Sequence, residues 1–351
     1  MSQFSPLKIE DSTDPEEVVN VSGVLKLYRD GSIFRLEDPQ MFVKASLEGE
    51  DGVASKDVVL NEKLGLWVRL YLPSSHLQQQ TEKRRLPLIV YFHGGGFCLA
   101  SPALPDYHNF TLKLAASVGA IVISVAYRLA PEHRLPAAYD DCIKALQWVS
   151  SHAVDGGDFE RDLWLDFQAD FSRVYLLGDS AGGNIANHVL LQCGGVEAWS
   201  PMRVRGAIFV QPYFGSVQRT RSESECPPDA WLSLQLSDAG WRLSLPVGSD
   251  RDHPFSNPWS PEAPKLEEAP LPPLLVAIGG RDMLRDRGHD YCESLKQCGK
   301  SVEVVVFEEE EHAFYALKPH CDSSERLMEK ISHFISSSLS EAVIHITDVA
   351  G

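Results

Sequence analysis

A chain of 351 residues, 44% of them hydrophobic, can bury a sizeable core as one large α/β domain or two smaller ones. A net charge of −17 and a pI near 5.1 argue against nucleic acid or an anionic membrane surface as partner, and favour a small neutral or apolar ligand. The cysteines (98, 142, 193, 226, 292, 298 and 321) are odd in number and lack CxxC spacing, which points to reduced thiols and away from a disulfide framework or a metal site.

Met1 to Glu17 is polar and acidic, unlike a secretory signal. No apolar run approaches the roughly 18 residues of a membrane span. The chain is therefore expected in the cytoplasm, with the nucleus also open, and as a monomer or homodimer. Residues 1–20 read as a flexible N-terminus. Val21 to Phe34, apolar at Val24, Leu25, Leu27, Tyr28 and Ile33, leaves two readings open: a helix with a turn at Asp30-Gly31, or a strand pair. Either could pack on the surface or lie over a site. Leu66 to Leu72 alternates apolar and polar, as an edge or antiparallel strand does. Ser74 to Arg85, ending Lys83-Arg84-Arg85, reads as a solvated loop.

Leu88 to Phe92 is a buried strand running into His93-Gly94-Gly95-Gly96-Phe97. Three glycines allow backbone N–H groups to turn inward, as donors for a developing oxyanion must. Alone, such a run is simply a flexible turn; it gains meaning from the serine motif downstream at 178–182. His93 is expected to support this loop and not to act as a base, and Cys98 to pack. Pro105 to Val118 has helical spacing, and Ile121 to Ala126 is a further buried strand. The charges of Tyr127 to Pro136 suggest a structural network, and Pro136 opens a helix with Tyr139, Cys142, Ile143, Leu146 and Val149 on its apolar face.

The apolar run Val174 to Leu177 ends in Gly178-Asp179-Ser180-Ala181-Gly182. This G-x-S-x-G pattern is a nucleophile elbow: the serine sits on a tight strand-to-helix turn, with small neighbours where the two elements pass closely. The helix N-terminus behind it favours developing negative charge. That helix continues from Ile185 to Gln192, and Val204 to Val210 is the next strand. Residues 215–260, broken by prolines around a helical segment Ala230 to Ser244, form an expected cap. Phe97, Trp231, Leu232 and Trp241 are candidates to line an apolar pocket beneath it.

Leu274 to Ile278 leads to Gly279-Gly280-Arg281-Asp282, then a helix from Asp286 to Cys298; Val302 to Phe307 leads through four glutamates to His312. Ser180, Asp282 and His312 stand in the order nucleophile, acid, base, each just past a strand. In a parallel sheet those ends share one edge, where ligands bind. A closing helix, Ser323 to Leu339, precedes a tail (340–351) expected to be flexible. The whole reads as one domain over 21–339, with cap segments at about 21–45 and 215–260.

HGGGF at 93–97, YRLAPEHRLPA at 127–137, GDSAGGN at 178–184, RDMLRD at 281–286 and EHAF at 311–314 resemble the hormone-sensitive-lipase branch of α/β-hydrolases over roughly residues 20–338. The overall texture is similar to the plant carboxylesterases of that branch. WRLSLP at 241–246 and RDHP at 251–254 resemble its strigolactone-degrading esterases. The resemblance implies an α/β-hydrolase fold with a central, mostly parallel eight-stranded sheet flanked by helices, a helical cap built partly from the N-terminal segment, and no cofactor. The expected substrate is a small-molecule ester. The expected roles are Ser180 as nucleophile, His312 as base, Asp282 as its orienting acid, and the N–H groups of Gly94, Gly95 and Ala181 as oxyanion donors. Gibberellin receptors of the branch lack the histidine, which is present here as His312. Its dehydratases often carry threonine in place of the nucleophile, where this chain has Ser180.

Overall fold

The computed structural model describes residues 7–10, 14, 16–36, 38–76, 85–154, 161–192 and 199–347. The first elements are strands β1 (Glu17–Val21), β2 (Leu25–Tyr28), β3 (Ile33–Arg35), β4 (Val53–Asn61), β5 (Leu66–Pro73) and β6 (Leu86–Phe92). Strand and helix then alternate: α1 (Pro105–Val118), β7 (Ile121–Ala126), α2 (Ala137–Ser151), α3 (Leu163–Gln168), β8 (Ala169–Asp179), α4 (Ala181–Gln192) and β9 (Val204–Val210). Two helices, α5 (Arg221–Ser224) and α6 (Leu234–Ser244), interrupt that rhythm. Next come β10 (Leu274–Gly279), α7 (Arg285–Gln297), β11 (Val302–Phe307), α8 (Phe314–Leu317) and α9 (Asp322–Thr347).

The main sheet has eight strands in the order β11-β10-β9-β8-β6-β7-β5-β4. All pairings from β11 to β7 are parallel, while β5 runs antiparallel to both β7 and β4. Strands covered on both faces must be apolar throughout, and β6 is buried at every position. Leu88, Val90 and Phe92 point into the layer formed by α2, α4 and α7. Ile89 and Tyr91 point the other way, into the layer of α1 and α9. Half-exposed β4 instead alternates along its second half.

The parallel register puts the C-terminal ends of β6, β8, β9, β10 and β11 along one edge, and the two segments expected to form a cap pack against each other and against the loops that follow β6 and β7. The N-terminal segment resolves the open alternative in favour of strands: β1, β2 and β3 form a small antiparallel sheet. Val19, Val21 and Leu25 of that sheet pack with Ala239 and Leu243 of α6 and with Cys98 and Ala130. Arg35 at the end of β3 donates to both Glu132 carboxylate oxygens and to the carbonyls of Cys98 and Ala130. Arg134 donates to the carbonyls of Arg242 and Leu245, and Arg128 forks onto buried Asp141. The charged connector therefore ties both cap pieces to the sheet.

Several boundaries depart from the sequence expectation. The N-terminal stretch read as flexible includes β1 and a bridge from Ile9 to Val21, because pairing with β2 satisfies a backbone that would otherwise be solvated. Strand β4 has no counterpart in that expectation. Helix α6 begins at Leu234 and not at Ala230, since the Ser233 side chain accepts the Leu236 N–H and caps it there. Helix α9 runs on past 339 to Thr347. Lys83 and Arg84 of the basic cluster lie outside the described residues. All six described cysteines are free thiols. Among the described residues no helix is long and apolar enough to cross a membrane.

Candidate active site

Ser180 occupies the turn between β8 and α4 with φ at 51°, a left-handed conformation costing a non-glycine residue about 1–2 kcal/mol. The turn is held by bonds from its own N–H to Val210 O (2.9 Å) and from the Tyr213 N–H to its carbonyl (2.9 Å). It closes this tightly only because residues 178 and 182 lack a Cβ. A Cβ on Gly178 would stand 2.0 Å from Gly182 O, and one on Gly182 1.8 Å from Phe92 O.

The sheet edge brings together three sequence-distant residues. His312 Nε2 lies 2.9 Å from Ser180 Oγ, and His312 Nδ1 lies 2.7 Å from Asp282 Oδ2. With the proton on Nδ1, His312 donates to Asp282 and can accept the serine hydroxyl proton. All three are buried. The second carboxylate oxygen of Asp282 accepts the Leu284 N–H at 2.9 Å. The other nearby acid, Asp179, accepts instead from Tyr91 OH (2.5 Å) and Tyr315 OH (2.6 Å). Complete burial pushes its carboxyl above the ordinary carboxylate range, against those two hydrogen bonds.

The glycine loop after β6 rests on the elbow. His93 is buried, stacks on Tyr127 with ring centroids 4.3 Å apart, and has Nδ1 2.8 Å from Gly94 O. Burial lowers its pKa to about 4, so it is neutral near pH 7. Gly94 lies against the elbow. Its N–H faces the Asp179 carboxylate, and a Cβ there would lie 2.4 Å from Asp179 Oδ2. Gly95 and Gly96, by contrast, take left-handed φ values of 98° and 60°. Among the described residues, no acceptor engages the N–H groups of Gly95, Gly96 or Ala181.

The four expected pocket residues divide. Phe97 and Trp241 are each 1% exposed, with ring centroids 5.6 Å apart, and Trp241 stacks on Tyr213 at 4.2 Å. Both belong to the main core cluster, where stacking buries such large flat rings. Trp231 and Leu232 are half-buried in the turn before α6, with Leu232 packed against the main core. Sequence reading missed Gln211, which ends β9 at φ 49° and touches both Asp282 and the backbone around His312. The available signal was a polar residue directly after an apolar strand, at the edge where the other site residues emerge.

A buried histidine, His93, and a half-buried one, His188, give a pH prediction. His188 on α4 stacks on Tyr139 at 3.7 Å, and burial lowers its pKa to about 4, as for His93. The unfolded chain takes up these protons below about pH 6.5 and the folded chain does not. Stability is therefore full above pH 6.5 and falls as the pH drops towards 4, by roughly 3 kcal/mol per histidine. Urea titrations across this range should show the loss. His188→Phe, which keeps the stack, should recover about half of the part due to these two groups.

Comparison with known proteins gives a consistent picture. Residues 89–316 match a family model described as an alpha/beta hydrolase fold. Carboxylesterase 20 of Arabidopsis thaliana is 43% identical over 72% of this chain and 75% of its own length. The 2-hydroxyisoflavanone dehydratase of Glycyrrhiza echinata is 36% identical over 89% of this chain and 94% of its own. Among solved structures, the Pyrobaculum calidifontis esterase superposes with a TM-score of 0.65 at 29% identity, covering 81% of this chain and 84% of that one.

Proposed function

The chain belongs to the α/β-hydrolase family, among the relatives of plant carboxylesterases, and is a carboxylic ester hydrolase; from that premise we propose that it cleaves small, largely apolar esters through an acyl-enzyme on Ser180. The observation that carries this reading is the continuous chain from Ser180 Oγ through both nitrogens of His312 to Asp282. As Oγ attacks the ester carbonyl, His312 Nε2 takes its proton and the carbonyl electron pair moves onto oxygen. The resulting imidazolium is balanced by Asp282. The N–H groups of Gly95 and Ala181 hold the oxyanion, joined by Gly96 in place of Gly94. The intermediate then expels the alcohol, which receives the proton from His312. Water, deprotonated by the same nitrogen, releases the acid and restores Ser180.

The motif likeness to strigolactone-degrading esterases supports a small, largely apolar hormone ester as the finer substrate reading. The dehydratase among the relatives supports a second reading, in which His312 removes a carbon-bound proton. Ser180, aligned on His312, favours hydrolysis. A panel of short p-nitrophenyl esters, a synthetic strigolactone and 2-hydroxyisoflavanone separates the two. A burst followed by steady ester turnover is expected, with rapid strigolactone cleavage marking the hormone-degrading type. Dehydration without ester turnover would overturn the proposal.

A further inference from the structure

Gln211 makes a set of contacts that the hydrolytic scheme leaves unused. Its Nε2 donates to Asp282 Oδ2 at 2.9 Å, the same oxygen that accepts from His312 Nδ1, and to Glu311 O at 3.0 Å. Its Oε1 accepts the Ala313 N–H at 2.8 Å. One amide thus grips the backbone on both sides of His312 and the carboxylate that orients it. The residue is 2% exposed, and its backbone is locked by a 2.8 Å bond from its N–H to Ala277 O. A Cβ on Gly279 would lie 2.4 Å from Gln211 Nε2, so the end of β10 is shaped to admit this side chain.

We propose that Gln211 is a positioning residue for the reaction: it fixes the Asp282 carboxylate and the His312 loop in one geometry, and its N–H donation to Asp282 limits how strongly that carboxylate stabilises the histidine's charged form. The proposal rests on the acyl-enzyme reading of Ser180 and His312. The chemistry behind it is direct. An amide N–H pointed at Oδ2 draws off part of the carboxylate's negative potential. Removing it leaves the imidazolium better stabilised, whereas a glutamate in its place, facing Asp282 Oδ2 at this range, must share a proton with that carboxylate. Other titratable groups reach this pair electrostatically: Asp179 from β8, Tyr315 from α8 and Cys226 from the cap, with Glu311 next in sequence to His312. They are common to every variant, so differences between variants report on residue 211.

The test uses full-length Gln211→Asn and Gln211→Glu beside wild type and Ser180→Ala, with pH profiles of kcat and kcat/KM on a short p-nitrophenyl ester. Asparagine tolerates the left-handed backbone at this position and secures a folded variant, yet is one methylene too short to bridge Asp282 and both flanks of His312. Expected results are kcat about 10- to 100-fold lower in both variants with KM changed no more than about 3-fold. The acidic limb of kcat/KM should move to higher pH in Gln211→Asn, which lacks the amide donor to Asp282. A purely structural residue would lower stability without that movement and without the kcat-specific loss. Folded Gln211→Asn with a wild-type kcat and an unmoved acidic limb would overturn the assignment. If wild-type turnover itself survived Ser180→Ala, the acyl-enzyme reading would fall first.

Discussion

Ser180→Ala should lower kcat on a short p-nitrophenyl ester by a factor of about 10⁵ or more, abolish the burst, and leave the fold intact. The size comes from the arrangement. His312 Nε2 has the Ser180 hydroxyl as its hydrogen-bond partner at 2.9 Å, so removing Oγ removes the nucleophile and leaves the base nothing to deprotonate. The oxyanion donors and the substrate contacts would remain, and they account for whatever residual rate survives. Stability adds a second readout specific to the elbow. Residue 180 sits at φ 51°, so alanine inherits the strain of serine, whereas Ser180→Gly relieves it. The glycine variant should be as inactive as the alanine variant but more stable by about 1 kcal/mol. Activity in Ser180→Ala within about 100-fold of wild type would remove Ser180 from the mechanism.

Gly182→Ala should have a large structural effect for a single added methyl group. The new Cβ would stand 1.8 Å from Phe92 O, 2.6 Å from Phe92 C and 2.8 Å from His93 O. All of these are backbone atoms at the end of β6, which cannot swing aside as a flexible side chain can. Relief requires α4 to move away from β6, which separates the elbow from the loop that supplies Gly95 and Gly96. The expected cost is about 3 kcal/mol or more, read as a clear fall in the thermal midpoint, together with loss of turnover. Gly96→Ala is the matched control. Nothing lies within 4 Å of the added Cβ there, so only the left-handed φ of 60° opposes it. Its destabilisation should be about 1 kcal/mol. Equal midpoints for Gly182→Ala and wild type would mean that the elbow and the glycine loop do not pack as described.

The orientation of Gly94 bears on how oxyanion loops are read from sequence. Any of three consecutive glycines can present an N–H group, and composition does not distinguish them. The Gly94 N–H faces the buried Asp179 carboxyl, and no acceptor engages those of Gly95 and Gly96 among the described residues. The same carboxyl group is held by Tyr91 from β6 and Tyr315 from α8, so the loop, the elbow and the base-bearing segment meet at one buried acid.

The features legible in the sequence were local ones. Apolar-rich runs such as Val204–Val210 and Val302–Phe307 read as strands, and their limits agree with the structure: central β9 is buried everywhere but at Arg205, while edge strand β11 exposes Glu303. G-x-S-x-G dictates its own sharp turn for steric reasons that involve only neighbouring residues. The order Ser180, Asp282, His312 was legible because each comes within a few residues of the end of such a run. Which strands are neighbours was settled only in three dimensions. The fold placed β8 between β6 and β9 and brought Ser180 to His312 across 132 residues of sequence. It also joined Gln211 to Asp282, turned Gly94 towards Asp179, folded residues 17–35 into a sheet and committed Trp241 to packing. These outcomes depend on which distant surfaces bury each other, and that free energy is shared among elements far apart in the chain, so no local pattern records it.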